Sequence, residues 1–182
     1  MRNDLFPTPV WYIEGAPPEL VDELYQGAYE FKKRFNNANE GENWKSSIQG
    51  GYQSPHLSWE EFHPQGIEYI NKIVDDIAKE YGKEARVYQW WYNICGKGDW
   101  NEPHTHKESQ LVAILFLTDR ADNLTLVNPN SHRFNEATHG RLDVKKGGLI
   151  IFPSDILHYV KPNDMEEDRI TISMNININP YG

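Results

Sequence analysis

The feature that most constrains the fold is a series of short, strand-like runs that begins after Gly82 and continues to Ile178. The last run, from Arg169 to Ile178, alternates between apolar and polar residues, as a strand with one buried face does. Turn-forming residues such as Gly147 and Gly148 separate the runs. The other runs cover residues 85–94, 110–117, 124–127, 142–144 and 149–152. Regular short strands of this kind predict a β-sandwich or a barrel.

The N-terminal part of the chain predicts one strand and two helices that pack outside the barrel. Residues 6–13 are aromatic and β-branched, which favours a strand. Apolar residues recur every three or four positions over 20–35 and again over 67–81, so each segment predicts a helix with one buried face. Ser58 and Glu61 have the spacing of a capping box before the second helix. The polar segment 36–51 has no periodicity and predicts a long loop, which is uncommon unless it has a function such as covering a site.

Composition excludes several classes of protein. The 18 Lys and Arg against 27 Asp and Glu give a net charge of -9, which argues against a nucleic-acid partner. The mean hydropathy of -0.72 leaves no membrane span. Cys95 is the single cysteine, so no intramolecular disulfide can form, and the N-terminus shows no signal peptide. We therefore expect one domain of 182 residues in the cytoplasm.

Three of the seven histidines have positions that suit a metal site. His104 and His106 are two residues apart, so on an extended strand both imidazoles lie on one face. His158 follows the apolar run 149–152 and precedes another strand-like stretch. Three converging imidazoles leave open positions on a transition metal, as a catalytic site requires. The His104–His106 pair alone fits two solvated or core histidines equally well.

Arg169 begins the last strand and shares one face of it with Thr171 and Ser173. A guanidinium with a neighbouring hydroxyl binds a carboxylate well, because its planar fork donates to two oxygens. A surface arginine paired with the acidic residues 166–168 is the more common arrangement for such a sequence.

Taken in order, these motifs resemble the iron(II)- and 2-oxoglutarate-dependent (2OG-Fe(II)) oxygenases. The similarity is strongest to a group of small oxygenases of marine bacteria and their phages. It begins at residues 5–11, includes the His104–His106 pair, and is most specific in the block 147–154 followed by His158 and Arg169. The resemblance implies a mainly β fold with flanking helices (α+β), whose core is a double-stranded β-helix, a jelly-roll barrel of the cupin type. It implies a single domain over 1–182, with the N-terminal strand and helices in 1–83 and the barrel in 84–182.

The resemblance also implies a role for each motif residue. His104 and His158 would bind Fe(II), and Arg169, helped by Thr171 or Ser173, would hold the far carboxylate of 2-oxoglutarate, with O2 as the second cosubstrate. Tyr92 is a candidate for a hydrogen bond to the same carboxylate, and packing in the core is its alternative role.

One position departs from the superfamily pattern of His-x-Asp or His-x-Glu, because His106 stands where the carboxylate is expected. The similar small oxygenases also carry histidine there, so we interpret the site as three histidines: His104, His106 and His158. Glu108 is the alternative third ligand if the strand continues regularly.

Other residues are predicted to have structural roles. His56 and His63 flank the second helix, and we expect surface or capping roles for them. His132 and His139 lie in the polar loop 128–141 and are predicted to be solvated, although this loop and the segment 36–57 are candidates for closing over the site. Cys95 is expected to pack in the core.

The leading hypothesis is a 2-oxoglutarate-dependent iron dioxygenase that hydroxylates a peptide or protein residue, such as proline, or a small metabolite. Prolyl hydroxylation is here an analogy drawn from the fold. The second hypothesis is a three-histidine metal dioxygenase of the cupin type that does not use 2-oxoglutarate. The third is a jelly-roll binding protein without enzymatic activity.

Overall fold

The computed structural model describes residues 8–38, 46–119, 124–130, 139–141 and 144–179. In these residues neither helix is long and apolar enough to cross a membrane. The elements in chain order are β1 Trp11–Ile13, α1 Pro18–Arg34, β2 Ile48–Gln49, β3 Tyr52–Gln53, β4 Leu57–Ser58, α2 Pro64–Glu80, β5 Glu84–Cys95, β6 Trp100–His104, β7 Leu111–Phe116, β8 Leu124–Val127, β9 His139–Arg141, β10 Leu149–Pro153, β11 His158–Val160 and β12 Arg169–Asn179.

Both predicted helices are confirmed. Each begins with a proline in its first turn, where the missing N–H has no helical partner to lose. Buried apolar stripes, such as Leu20, Leu24 and Ala28 on α1, face the large sheet. Helix α2 ends just before Gly82, whose φ of 61° suits glycine. The predicted capping box is also present, at a short 3-10 turn over Trp59–Glu61 that precedes α2.

The strands form two antiparallel sheets. The larger has the order β1-β10-β7-β12-β5-β3, with β4 also paired to β5, and the smaller has the order β2-β6-β11-β8-β9. Because most neighbours in each sheet are distant in sequence, the chain crosses repeatedly between the sheets, as in a jelly roll. The predicted double-stranded β-helix with two N-terminal helices outside it is therefore confirmed.

The larger sheet is buried on both faces. On β12, Ile170, Ile172, Met174 and Ile176 pack in the cluster that includes α1 and α2. The alternate residues of β12, beginning with Arg169, face the interior of the barrel. Apolar side chains of β7, β8 and β10 form a second buried cluster between the sheets, which includes Phe116, Leu126 and Phe152.

Some predicted boundaries shift. The first strand is shorter, at Trp11–Ile13, and residues 1–7 lie outside the described part of the chain. The predicted loop 36–51 contains β2 near its end, and residues 39–45 are not described. The predicted run 142–144 falls largely on residues that the structure does not describe, whereas β9 covers His139–Arg141.

Candidate metal centre

The two sheets enclose a cavity of about 480 Å³ that opens at one end of the barrel. Side chains from both sheets line it, together with Ser46 and Ser47 from the segment that leads into β2. His104, His106 and His158 lie along one part of its wall, and Arg169 along another. The cavity therefore joins the predicted metal ligands to the predicted carboxylate site.

Strand pairing brings the three histidines together. His104 at the end of β6 is directly opposite His158 at the start of β11, and their ring centroids are 4.2 Å apart. His106 lies two residues beyond the end of β6, and its ring centroid is 5.2 Å from each of the other two. One ring nitrogen of each histidine lies within 4.8 Å of those of the others. This spacing allows all three nitrogens to bind one metal ion.

Hydrogen bonds fix the orientation of all three rings. Nδ1 of His104 lies 2.7 Å from the Glu102 carbonyl oxygen, and Nδ1 of His158 lies 2.8 Å from that of Ile156. Since a carbonyl oxygen only accepts, each Nδ1 carries the proton and each Nε2 keeps its lone pair. Nδ1 of His106 lies 2.9 Å from Oδ1 of Asn175, which sets the same arrangement. Metal-binding histidines in proteins are held in this way.

The surroundings keep these rings uncharged. Burial lowers the pKa of His106 to about 4 and holds the pKa of His158 well below its usual 6.5. The second cause in both is repulsion from His104 when that ring is protonated. Burial also lowers the pKa of His104. A neutral imidazole is the form that binds metal, so no proton has to leave at neutral pH.

Arg169 is buried, with 6% of its surface exposed. Its Nη1 donates to the Lys161 carbonyl oxygen at 3.1 Å, whereas its Nη2 has no hydrogen-bond partner. Two of the three acidic residues 166–168 that could pair with it are engaged elsewhere: Glu166 pairs with Lys97, and Asp168 accepts from the Tyr29 hydroxyl at 2.9 Å. A buried cationic donor without a partner is costly unless an anion binds to it.

Thr171 and Ser173 line the cavity beside Arg169, as the alternation of β12 predicts. Nδ2 of Asn93 donates to the Ser173 hydroxyl oxygen at 3.0 Å and lies 3.5 Å from that of Thr171. Each hydroxyl therefore accepts from Asn93 and keeps its own proton to donate into the cavity. Asn93 was missed at the sequence level, although the alternation of β5 places it on the cavity face.

The predicted contact of Tyr92 with the cosubstrate is wrong. Tyr92 is one residue out of phase with the cavity side of β5, so its ring points to the helices. Its hydroxyl donates to the Leu24 carbonyl oxygen of α1 at 3.0 Å, and the side chain packs against Phe31 and Trp90. Its alternative role, packing in the core, is the one that the structure shows.

Glu108 does not join the histidine cluster. Strand β6 ends at His104, and Glu108 lies in a turn further along, where its side chain is exposed at the cavity mouth. The premise of a regular strand through this residue is therefore incorrect. Among the described residues, only the three histidines form a set with metal-ligand spacing.

His56 differs from its predicted surface role. Its ring stacks on Trp91 at a centroid distance of 4.1 Å and lines the cavity, and burial lowers its pKa to about 4. The Trp91 ring also stacks against His106, at 5.6 Å. His63 lies at the start of α2, and its Nε2 is 2.8 Å from a carboxylate oxygen of Glu23 on α1. His132 lies outside the described residues.

Cys95 is buried, as predicted, although it also lines the cavity. His139, predicted to be solvated in a polar loop, lies on β9 and contacts Tyr159 edge-on at a centroid distance of 6.2 Å. Neither residue belongs to the histidine cluster.

The side chains present fit both an iron ion and 2-oxoglutarate. Three neutral nitrogens with free lone pairs suit a divalent transition metal and leave positions open for other ligands. The unpartnered Nη2 of Arg169 suits a carboxylate in the same cavity.

The part of the chain that lines this cavity was compared with known protein families. Residues 89–175, which hold the three histidines and Arg169, match the family described as "Putative 2OG-Fe(II) oxygenase". The protein is therefore an oxygenase enzyme whose cofactor set, Fe(II) with 2-oxoglutarate and O2, is the one predicted from the sequence. No curated protein matches the chain in sequence.

Solved structures with this fold include several enzymes of low sequence identity. A prolyl-4-hydroxylase from Pseudomonas putida has a TM-score of 0.66 and 14% identity, with 93% of this chain and 92% of that chain covered. The carbocyclase SnoK from nogalamycin biosynthesis has a TM-score of 0.65 and 14% identity, with 93% and 79% covered. A Trichoplax adhaerens prolyl hydroxylase in complex with a hypoxia inducible factor peptide has a TM-score of 0.62 and 17% identity, with 92% and 83% covered.

Proposed function

We propose that His104, His106 and His158 bind Fe(II) through their Nε2 atoms, and that Arg169 binds the far carboxylate of 2-oxoglutarate. The observation that carries this proposal is the buried Nη2 of Arg169, which lacks a partner and lies in the same cavity as the three histidines. It also favours an enzyme that uses 2-oxoglutarate over a three-histidine dioxygenase that does not, since the latter has no need of a buried arginine.

The side chains around Arg169 complete the proposed carboxylate site. Thr171 and Ser173 present their hydroxyl protons to the cavity because Asn93 occupies one lone pair of each. The charged fork of Arg169 and these two hydroxyls together offer donors to both carboxylate oxygens.

The protein's contribution is to bind, orient and exclude water. When bound, iron, 2-oxoglutarate and O2 supply the oxidising chemistry of the reaction, with succinate and carbon dioxide as by-products. Ile114, Phe116 and Leu124 form an apolar wall of the cavity, which limits the access of water beside the histidines. The three neutral rings hold their positions without any change of protonation near neutral pH.

For the substrate, we propose a C–H bond of a peptide residue, such as proline, or of a small metabolite, which is hydroxylated. Support comes from the part of the cavity lining that is not fully buried, where Gln89 and Lys107 offer polar groups to a ligand. The structural neighbours include an enzyme with a bound peptide and an enzyme from nogalamycin biosynthesis, so this fold accommodates both kinds of substrate.

The test is the affinity of the metal-loaded protein for 2-oxoglutarate, measured by titration calorimetry under anaerobic conditions. We expect Arg169→Leu to weaken binding by at least 100-fold and Arg169→Lys to weaken it less, because lysine keeps the charge but loses the fork. Arg86→Leu is the matched control, since Arg86 is exposed on the outer part of β5. Each variant is also checked for metal binding and for thermal unfolding.

Unchanged 2-oxoglutarate affinity in a folded Arg169→Leu protein would refute the carboxylate site. It would favour the dioxygenase that does not use 2-oxoglutarate. Failure of the wild-type protein to bind Fe(II) in stoichiometric amounts would refute the metal centre as well.

A further inference from the structure

We propose that Asn175 is the positioning residue for His106, and that its side-chain oxygen holds the His106 ring in the tautomer that leaves Nε2 free for the metal. The inference rests on the ligand role of His106 proposed above. Asn175 lies on β12, far from His106 in sequence, and is buried with 4% of its surface exposed. Its Oδ1 lies 2.9 Å from Nδ1 of His106.

His106 needs such a partner because its ring is held differently from the other two. His104 and His158 donate to the backbone carbonyls of Glu102 and Ile156, each two residues earlier in the chain. Those acceptors belong to the main chain, so no side-chain substitution removes them. His106 lies beyond the end of β6, and the acceptor for its Nδ1 is a side chain.

The plane of the His106 ring is set by packing, which leaves the tautomer to the hydrogen bond. The Trp91 ring stacks against the His106 ring with a centroid distance of 5.6 Å and an interplanar angle of 21°. The His158 ring stacks against it with a centroid distance of 5.2 Å and an interplanar angle of 19°. The backbone N–H of His106 donates to the Ser154 carbonyl oxygen at 2.9 Å. Neither stacking nor this backbone bond distinguishes which ring nitrogen carries the proton.

The orientation of the Asn175 amide decides that question. A side-chain amide turned by 180° would donate from Nδ2 to Nδ1 of His106, place the ring proton on Nε2 and block metal binding there. In the structure, Oδ1 of Asn175 faces Nδ1 of His106, and the Ser109 hydroxyl also donates to this oxygen, at 3.4 Å. Two donors therefore meet Oδ1, which favours the amide orientation that places the ring proton of His106 on Nδ1.

The choice of an amide also affects the charge of the site. The His106 position already lacks the carboxylate ligand that the superfamily pattern expects, and Asn175 adds no charge behind the ring. A carboxylate at position 175 would accept the same hydrogen bond and make the ring a stronger donor to the metal. Asn175→Asp is therefore the conservative variant, whereas Asn175→Leu keeps the approximate size of the side chain and removes the acceptor.

The first measurement is the ¹⁵N chemical shift of the histidine ring nitrogens in the metal-free protein at pH 7.5. We expect the Nδ1–H tautomer for His106 in the wild type and in Asn175→Asp, and loss of that tautomer in Asn175→Leu with His104 and His158 unchanged. Asn177→Leu is the matched control, because Asn177 lies two residues further along β12, outside the cavity lining, with its Oδ1 unpaired. An Nε2–H tautomer for His106 in the wild type would overturn the proposal, even if Asn175→Leu failed to fold.

The second measurement is the affinity for Co(II), with the visible spectrum as a report on the ligand set. Removing the partner of a metal-binding histidine costs about 10–100-fold in affinity, so we expect that loss in Asn175→Leu, rescue in Asn175→Asp and no change in Asn177→Leu. Unchanged affinity and spectrum in a folded Asn175→Leu protein would overturn the positioning role. Unchanged Co(II) affinity in His106→Ala would instead overturn the ligand role of His106, and the ring-nitrogen shifts would still test the tautomer.

Discussion

Replacing Tyr92 by phenylalanine tests whether its hydroxyl stabilises the fold or contributes to binding of the cosubstrate. In Tyr92→Phe the lost group is one buried hydrogen bond of 3.0 Å, which links the middle of β5 to the Leu24 carbonyl of α1. That carbonyl still accepts the helical bond from four residues later, so no acceptor is left bare. We expect a loss of about 1 kcal/mol in the free energy of unfolding, typical of one neutral hydrogen bond. In a chain of this size the melting temperature should fall by roughly 2–4 °C.

The assay combines thermal unfolding with 2-oxoglutarate titration of the metal-loaded protein. Since Tyr92 faces the helices, we expect Tyr92→Phe to leave 2-oxoglutarate affinity within about twofold of the wild type. Asn93→Ala is the neighbouring comparison. It faces the cavity and should weaken 2-oxoglutarate binding, because it releases the hydroxyls of Thr171 and Ser173. A tenfold loss of affinity in Tyr92→Phe with an unchanged melting temperature would refute this account of β5.

Two further predictions concern the histidine cluster. Glu108→Gln should leave the Co(II) affinity and the visible spectrum of the Co(II) protein unchanged, because Glu108 lies outside the cluster of three histidines. A change in that spectrum would show that Glu108 is a metal ligand. The metal-free protein should also lose stability as the pH falls below 6.5. Burial lowers the pKa of His106 to about 4 in the folded state, so between these pH values the unfolded chain binds more protons. From pH 7 to pH 5 this one histidine removes roughly 2 kcal/mol from the free energy of unfolding. Urea unfolding of wild type and His106→Gln at both pH values checks this, and the same pH dependence in both proteins would contradict it.

Much of the fold could be predicted because its signals are periodic. The helices α1 and α2 follow from apolar residues at three- to four-residue spacing, with proline at one end and, for α2, glycine at the other. Strand β12 follows from strict alternation, which also places Arg169, Thr171 and Ser173 on one face. The same alternation continues to Asn175, so that residue was within reach of the pattern. It was missed because an asparagine within a strand carries no functional signal of its own.

Contacts between residues far apart in the sequence could not be predicted from such periodic patterns. Tyr92 and Asn93 are neighbours on β5, and a shift of one residue exchanges the helix side for the cavity side. The alternating pattern is weak there, because aromatic residues occupy both faces of the strand. The predicted surface role of His56 was wrong for a similar reason, since its contact with Trp91 joins segments more than thirty positions apart.

The sequence by itself determined the class of fold, the similarity to the oxygenases and the candidate residues for binding iron and a carboxylate, because those depend on residue type, order and spacing. Only the tertiary structure decided which atoms are available to bind. The register of β6 against β11 placed His104 opposite His158, and burial removed the charge from the rings. Contacts between distant strands gave the His106 ring its acceptor and left Nη2 of Arg169 without one. The physical reason is that a ring tautomer, a pKa and an unpaired donor are properties of a side chain's surroundings, which chain folding assembles from distant segments.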